Sequence, residues 1–256
     1  MSKPYWSDYH AEGWAVRFPP GAHVLDIGCG PGGHMLQLRN AGCDVEGVEP
    51  DPELVEACRS KGLNVHTAKA EQLPFGNGSV DGVYCNVVLP YTEERQAVEE
   101  IARVLRPGGK CFLVCHGAGF SVRYVLAGPS WKFRLYGLRT LVNTWWYALT
   151  GTRLHGFIGD TLYQSRRRLE RYYRMGGLSL VAEPESKSFL GWPVFIHHEL
   201  VRRPGVPEAF ASGSAQGGRS RDPFQTGSGG ASHLLGRAHG VSHGTAYTMN
   251  ESRKNG

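Results

Sequence analysis

The stretch Val24-Leu25-Asp26-Ile27-Gly28-Cys29-Gly30-Pro31-Gly32-Gly33 decides the fold of this chain. Its apolar residues run without alternation into a cluster of glycines, which is typical of a buried parallel strand that ends in a tight turn. Glycines there let the backbone approach a ligand, because no side chain stands in the way. A helix predicted over residues 33–40 would point its free N–H groups at the same place. The stretch therefore predicts a strand, a ligand-binding loop and a helix.

Strands and helices continue to alternate downstream of this loop. The predicted strands cover residues 44–49, 63–68, 80–88 and 110–116, and the predicted helices between them cover residues 51–61 and 92–105. Asp51 is expected to cap the first of these helices, with Pro52 at its first position. Such alternation is typical of a doubly wound α/β fold with a parallel sheet. A helix over 161–175 and strands over 178–183 and 192–201 are predicted after it, and the two strands could pair antiparallel.

Composition divides the chain of 256 residues into three parts. Residues 1–22 form an aromatic lead, residues 23–203 a folded domain with a helical insertion at 119–160, and residues 204–256 a tail. The tail is rich in Gly, Ser, Ala, Arg and His with no hydrophobic period, so it is predicted to be disordered. The net charge of +5 permits an anionic partner without requiring one.

The cysteines and the N-terminus predict a cytoplasmic protein. None of the six cysteines forms a CxxC pair or a close His/Cys cluster, which favours reduced thiols and no metal site. The first residues do not read as a signal peptide, and no apolar stretch reaches the ~18 residues of a membrane span.

The glycine loop is compatible with two kinds of nucleotide cofactor. Gly28-x-Gly30-x-x-Gly33 satisfies the dinucleotide fingerprint, and Glu49 follows at about the right distance to accept ribose hydroxyls, so an NAD-dependent oxidoreductase is one interpretation. However, Asp26 lies two residues before the first glycine. A carboxylate there fits poorly beside a pyrophosphate, since like charges repel, but fits well beside the ammonium group of an amino acid.

Four further motifs decide between these interpretations. VLDIGCGPGG, VEGVEPD, AEQLPF and EEIARVLRPGGK, in this order, resemble the class I S-adenosylmethionine-dependent methyltransferases, especially their small-molecule type 11 branch. The resemblance is close over residues 20–117 and looser over 161–203. It implies a doubly wound, seven-stranded Rossmann-like sheet of order 3-2-1-4-5-7-6, with strand 7 antiparallel and a helical insertion after strand 5.

The resemblance also implies the cofactor and its site. The cofactor is S-adenosyl-L-methionine, the product is S-adenosyl-L-homocysteine, and no metal is expected. Asp26, at the end of the first strand, matches the family's acid near the methionine ammonium. Glu49, at the end of the second strand, matches the acid that accepts the ribose hydroxyls. Ala70 and Glu71 match the pair that brackets adenine. The implied cofactor-binding residues are Asp26, Gly28, Cys29, Gly30, Glu49, Pro50, Ala70, Glu71 and Asn86. Cys29 is interpreted as a small residue between glycines, and a solvated loop acid is the alternative for Glu71.

Methyl transfer needs alignment and dry surroundings more than a strong catalytic group. A base is needed only if the acceptor is a hydroxyl or an acidic carbon. His116, at the end of the fifth strand, and Tyr91, on the neighbouring loop, are the candidate catalytic residues. A histidine held by a backbone partner is the alternative for His116, while His155 and the pair His197-His198 are expected to be structural. The lead residues Tyr5, Trp6 and Tyr9 could hold the sulfonium against an aromatic face.

The acceptor is expected to bind under the insertion at residues 119–160. Its aromatic content favours an aromatic, glycosidic or lipid-like small molecule, methylated on oxygen or carbon. The insertion also carries Arg123, Lys132, Arg134 and Arg139, so peripheral membrane contact through residues 120–149 is a further expectation.

Two other function classes stay open. The basic helix at 166–174, with five arginines, would suit an RNA methyltransferase or an RNA-binding protein. No additional RNA-binding domain is visible and the Asn-Pro-Pro-Tyr signature is absent, so a nucleic-acid acceptor is the less favoured interpretation. A catalytically silent cofactor-binding module is less favoured still, because competent residues fill every cofactor position.

Overall fold

The computed structural model describes residues 18–154 and 161–204. The first seventeen residues, the segment 155–160 and the residues after Pro204 lie outside the described part. The predicted disordered tail and most of the predicted aromatic lead therefore fall outside the described residues. All described residues belong to one compact unit.

A seven-stranded sheet forms the centre of the described part, in the order β3-β2-β1-β4-β5-β9-β6. Its strands are β1 His23–Ile27, β2 Asp44–Glu49, β3 Asn64–Thr67, β4 Val80–Asn86, β5 Leu105–His116, β6 Leu178–Ala182 and β9 Phe195–Arg202. The first five are parallel, and β9 lies antiparallel between β5 and β6. This is the order that the family resemblance predicts, since β9 takes the place of the seventh strand. The last strand is numbered β9 because two short strands, β7 Ser188–Phe189 and β8 Trp192–Pro193, precede it and form a separate hairpin.

Six α-helices flank or extend the sheet in the described residues. They are α1 Gly33–Asn40, α2 Pro52–Arg59, α3 Glu94–Val104, α4 Ala118–Ala127, α5 Trp131–Thr150 and α6 Arg166–Gly176. The predicted cap of α2 is confirmed, because the Asp51 carboxylate accepts a hydrogen bond from the Glu53 N–H at 2.9 Å. The predicted insertion after strand 5 is occupied by α4 and α5.

The sheet explains why the predicted site residues come together. Ile27 of β1 pairs with Val48 of β2 and with Cys85 of β4, and Asn86 of β4 pairs with Val114 of β5. Parallel strands in this register end at one edge of the sheet, where open α/β folds bind their ligands. The ends of β1, β2, β4 and β5 therefore define that edge, which we call the site edge.

Two predicted boundaries are wrong. The helix predicted from Thr161 begins only at Arg166, because residues 161–165 are extended and bond to the site edge: the Leu162 N–H donates to the carbonyl of Pro90 and the Gln164 N–H to that of His116. Strand β5 begins at Leu105 instead of residue 110, since the turn predicted at 106–109 is a register shift inside the strand.

The helices of the described part are too short or too polar to cross a membrane. Over residues 18–154 and 161–204, no helix combines the length and the apolar character required to cross a bilayer.

Candidate functional site

The loop after β1 is attached to β2 by its backbone. The N–H groups of Gly28 and Cys29 both donate to the carbonyl of Val48, at 2.7 and 3.1 Å. Gly28 and Gly30 have φ angles of +66° and +53°, a left-handed conformation that side chains disfavour. This geometry explains why the sequence places glycines there.

The two glycines face different surroundings. A Cβ atom on Gly28 would lie 2.4 Å from Cγ2 of Val88, so this glycine allows close packing between the loop and the segment after β4. A Cβ atom on Gly30 would meet no atom of the described residues within 4 Å. Gly30 therefore borders open space at the site edge, where a ligand can lie against the backbone.

Asp26 is a buried carboxylate that lacks a partner. Its side chain is 1% exposed, and Oδ2 makes no hydrogen bond within the described residues. Burial, and secondarily the negative charge of Glu49, raises the pKa of Asp26 well above its usual range. A desolvated acceptor of this kind is stabilised by a cation or by N–H donors, so the position suits the ammonium group of an amino acid.

Glu49 is fixed beside the same loop. Its carboxylate accepts the N–H of Gly30 at 3.0 Å through Oε2 and the N–H of Asp51 at 3.1 Å through Oε1. The residue is 6% exposed, and the half-buried Pro50 follows it. Carboxylate oxygens are acceptors with two lone pairs each, so Glu49 is of the chemical type that accepts hydroxyl groups.

The thiol of Cys29 has a packing role. It is buried, and a Cβ atom on Gly47 would lie 2.9 Å from its Sγ. Burial, and to a smaller extent the negative charge of the nearby Asp26, raises the pKa of the Cys29 thiol above its usual range. Since the thiolate is the reactive form, a raised pKa disfavours nucleophilic attack by this thiol. The interpretation of Cys29 as a small residue between glycines stays a prediction.

Ala70 and Glu71, the predicted adenine pair, come after β3. Ala70 is buried, whereas Glu71 is partly exposed and its Oε1 accepts the N–H of Glu93 at 2.9 Å. Glu71 thus holds the start of α3 in this structure. Its contact with adenine remains a prediction.

The backbone just after β4 adopts a strained conformation that could not be predicted from the sequence. Val87 has a φ angle of +59°, which is a genuine outlier for a β-branched residue. Its N–H donates to the carbonyl of Val114 at 2.8 Å, and Val88 then packs against Gly28. Beside it, Oδ1 of Asn86 is buried and makes no hydrogen bond in the described part of the chain. Asn86 and Asp26 therefore both present unsatisfied acceptors near the glycine loop.

The two candidate catalytic residues contact the helices of the insertion. The ring of His116, 8% exposed, stacks on Phe120 of α4 with a centroid distance of 3.7 Å and an interplanar angle of 9°. The hydroxyl of Tyr91 lies 3.4 Å from that of Tyr136 on α5. Both residues belong to the site edge, but their catalytic role remains a prediction.

The histidine pair on β9 is buried, and its structural role stays a prediction. His197 and His198 are both buried, and Nδ1 of His198 lies 2.8 Å from the Tyr173 hydroxyl. Burial lowers the pKa of His198, against the opposing effect of Glu183. The predicted roles of Tyr5, Trp6, Tyr9 and His155 concern residues outside the described ranges.

Two of the five arginines of the basic helix α6 form ion pairs within the protein. Arg166 pairs with Glu170 and Glu183 at 2.8 and 2.9 Å, and Arg168 pairs with the buried Glu94 at 2.8 Å. The other three arginines are exposed and line a groove beside the end of α5; they are Arg167, Arg171 and Arg174. A nucleic-acid surface built on this helix would thus use fewer cations than its sequence suggests.

The potential metal ligands of the described part do not cluster. Residues 18–154 and 161–204 contain no group of three or more His, Cys, Asp or Glu side chains that could hold a metal ion.

Comparison with known proteins links this geometry to one family. Residues 25–113 match the family model described as a methyltransferase domain. An uncharacterized methyltransferase of Mycobacterium bovis is 38% identical over 94 residues, which are 36% of this chain and 38% of that protein. A malonyl-[acyl-carrier protein] O-methyltransferase of Enterobacter lignolyticus is 35% identical over 91 residues, 34% of this chain and 36% of that protein. The chain thus spans little more than a third of the length of these relatives.

A solved structure extends the likeness to the whole sheet. The S-adenosylmethionine-dependent methyltransferase of Mesorhizobium loti superposes with a TM-score of 0.57 at 17% identity, covering 76% of this chain and 99% of that one. At this identity the likeness shows the fold alone.

Proposed function

We propose that this protein transfers a methyl group from S-adenosylmethionine to a small-molecule acceptor. The match of residues 25–113 to the family model of a methyltransferase domain supports this proposal. The observation that carries the proposal is the buried oxygen of Asp26, which has no hydrogen-bond partner among the described residues, beside Glu49 and the space at Gly30 that these residues leave open. An ammonium group would suit Asp26, and vicinal hydroxyls would suit Glu49.

The residues of this chain bind and align the cofactor. Asp26 would pair with the methionine ammonium, and Glu49 would accept the ribose hydroxyls. Gly30 would let the backbone approach the ligand, while Gly28 would keep the loop beneath the cofactor packed against Val88. The remaining positions at the site edge, Cys29, Pro50, Ala70, Glu71 and Asn86, would line the cofactor. The bound cofactor supplies a methyl group on a positively charged sulfur, and the protein contributes alignment and exclusion of water.

An aromatic cluster at the site edge supports a ring-containing or lipid-like acceptor. Next to the stacked pair of His116 and Phe120, the Phe120 ring lies 4.5 Å from that of Tyr124, which lies 5.3 Å from Phe133 of α5. This cluster joins the end of β5, through His116, to the two helices of the insertion, where an acceptor would meet the methyl group. If the acceptor is a hydroxyl or an acidic carbon, we propose His116 or Tyr91 as the group that takes its proton.

Calorimetry on the full chain tests the proposal. S-adenosylmethionine and S-adenosylhomocysteine should bind with dissociation constants of the order of micromolar, and NADH should give no heat. Transfer of a labelled methyl group to a panel of aromatic and lipid-like acceptors would then identify the acceptor class. Binding of NADH without S-adenosylmethionine would contradict the proposal and favour an oxidoreductase.

A pair of matched glycine substitutions tests where the cofactor lies. Gly30 and Gly62 both have a positive φ, +53° and +69°, and a Cβ atom on either would meet no atom within 4 Å. Gly30→Ala and Gly62→Ala should therefore cost the fold a similar amount, about 1–2 kcal/mol each, in urea unfolding. Only Gly30→Ala should weaken S-adenosylmethionine binding, by about tenfold, since its methyl group would enter the cofactor space. Equal affinities of the two variants would place the cofactor elsewhere.

A further inference from the structure

The outer face of α5 is apolar and exposed. Its side chains are 36–69% exposed and recur at spacings of four and three residues, which places them on one stripe: Trp131, Leu135, Leu138, Val142, Trp145 and Leu149. We call this stripe the α5 outer face. A contiguous apolar surface of this kind on a folded domain marks an interaction site.

The inner face of the same helix is polar. Thr140, Asn143 and Thr144 are buried. The Thr140 hydroxyl donates to the Tyr136 carbonyl of the same helix at 3.0 Å, while Asn143 and Thr144 bond to the segments that flank residues 155–160. The Asn143 amide donates to the Thr161 carbonyl at 3.1 Å and accepts the Leu154 N–H at 3.0 Å, while the Thr144 hydroxyl accepts the Tyr163 N–H at 3.0 Å. The usual amphipathic pattern of a surface helix is thus inverted, with polar groups inside and apolar groups outside. The inversion indicates that the outer face meets an apolar medium.

The surroundings of this face are positively charged. Residues 118–154 contain no Asp or Glu, and four of their cations are Arg123, Lys132, Arg134 and Arg139. The fifth, Arg153, is largely buried and pairs with Glu93, so it adds little to the surface charge. Tyr147 and Ala148, near the end of α5, line a groove of about 510 Å³ together with the exposed arginines of α6, Arg167, Arg171 and Arg174. The apolar stripe is therefore continuous with a basic surface.

From these observations we infer that the α5 outer face docks on an anionic membrane surface. Trp residues favour the interface between headgroups and acyl chains, and cations beside an apolar face favour anionic lipids. A second copy of this chain is a poorer occupant, because self-association through α5 would bring two acid-free basic regions together. The inference stands on this surface and does not depend on the proposed methyl transfer.

Sedimentation with lipid vesicles tests the inference on the full chain. The protein should co-sediment with phosphatidylcholine vesicles that contain about 30% phosphatidylglycerol, and much less with phosphatidylcholine alone. The double variant Trp145→Glu/Leu149→Glu should lower this binding at least about tenfold. Both residues are more than 60% exposed, at 62% and 66%, so the fold should tolerate the change. Val181→Glu is the matched control, since Val181 is 54% exposed on the edge strand β6 and should leave binding unchanged.

A second measurement needs no variant. Lipids with brominated acyl chains should quench the tryptophan fluorescence of the unmodified protein, because Trp131 and Trp145 would lie at the level of the headgroups. Absence of vesicle binding, equal binding to neutral vesicles, or equal binding by the double variant would each overturn the inference. So would a dimer in light scattering that the double variant dissociates, or RNA binding in place of vesicle binding.

Discussion

Asp26→Asn is expected to weaken S-adenosylmethionine binding by about 100-fold while raising the melting temperature of the free protein. The carboxylate is 1% exposed, lacks a partner for Oδ2 within the described residues, and is repelled by Glu49. Removing its charge relieves that repulsion in the free protein. The same change leaves the ligand's ammonium without a counter-ion in a desolvated place. Calorimetry and thermal unfolding of the two proteins would measure the opposite effects.

The raised pKa of Asp26 makes this binding depend on pH. Because burial and Glu49 raise the pKa, the free protein keeps the Asp26 proton to a higher pH than an exposed aspartate would. Asp26 therefore stabilises the free fold at low pH, and this contribution is lost as pH rises through the raised pKa. An arriving ammonium group favours the ionised form, so affinity should increase with pH until Asp26 is already ionised in the free protein. Calorimetry in buffers of different ionisation enthalpy would detect the released proton, and Asp26→Asn should abolish it.

Asp44 provides a control for the charge change, because its carboxylate lies far from the Asp26 end of the strands. Asp44 is exposed at the start of β2, so Asp44→Asn should leave cofactor affinity and its pH dependence unchanged. If Asp26→Asn binds S-adenosylmethionine as tightly as the natural protein, Asp26 does not face the ammonium group.

The central sheet could be predicted because its determinants are local. The glycine loop, the Asp51 cap and the uninterrupted apolar strands each depend on neighbouring residues. The order of the strands is not local: it is predicted from the resemblance of the motifs to a methyltransferase family, and the sheet has that order. Asp26 and Glu49 could be predicted for the same reason, since each lies at or near the end of its strand and parallel strands end together.

The features that the sequence did not predict depend on distant contacts. The extended form of residues 161–165 results from bonds to the carbonyls of Pro90 and His116, which no helical pattern reveals. The left-handed conformation of Val87 is imposed by its neighbours in space, against its own preference. Glu71 contacts the start of α3, twenty-two residues away along the chain, so its partner is visible only in the fold.

A buried ion pair that joins α3 to α6 is another such distant contact. Glu94 is 0% exposed, and Arg168, seventy-four residues away, donates to it through Nε at 2.8 Å and Nη2 at 3.0 Å. The Gln164 side-chain amide donates to the same carboxylate at 2.9 Å, while the Gln164 N–H donates to the His116 carbonyl at 2.8 Å. Through Gln164, the Glu94–Arg168 ion pair thus stabilises the segment 161–165, which bonds to the site edge.

Arg168→Leu should lower the free energy of unfolding by about 3–5 kcal/mol in urea, because Glu94 would keep a buried charge without its partner. Arg166→Leu is the matched control. It removes an arginine from the same helix whose side chain is 59% exposed, and it should change stability little. Adding Glu94→Leu to Arg168→Leu should recover most of the loss, since an apolar pair can replace a buried ion pair at small cost. If Arg168→Leu is as stable as Arg166→Leu, the buried ion pair contributes little to stability. If Arg168→Leu is destabilised and the double variant is no more stable, the loss comes from the arginine's own packing and not from the unpaired carboxylate.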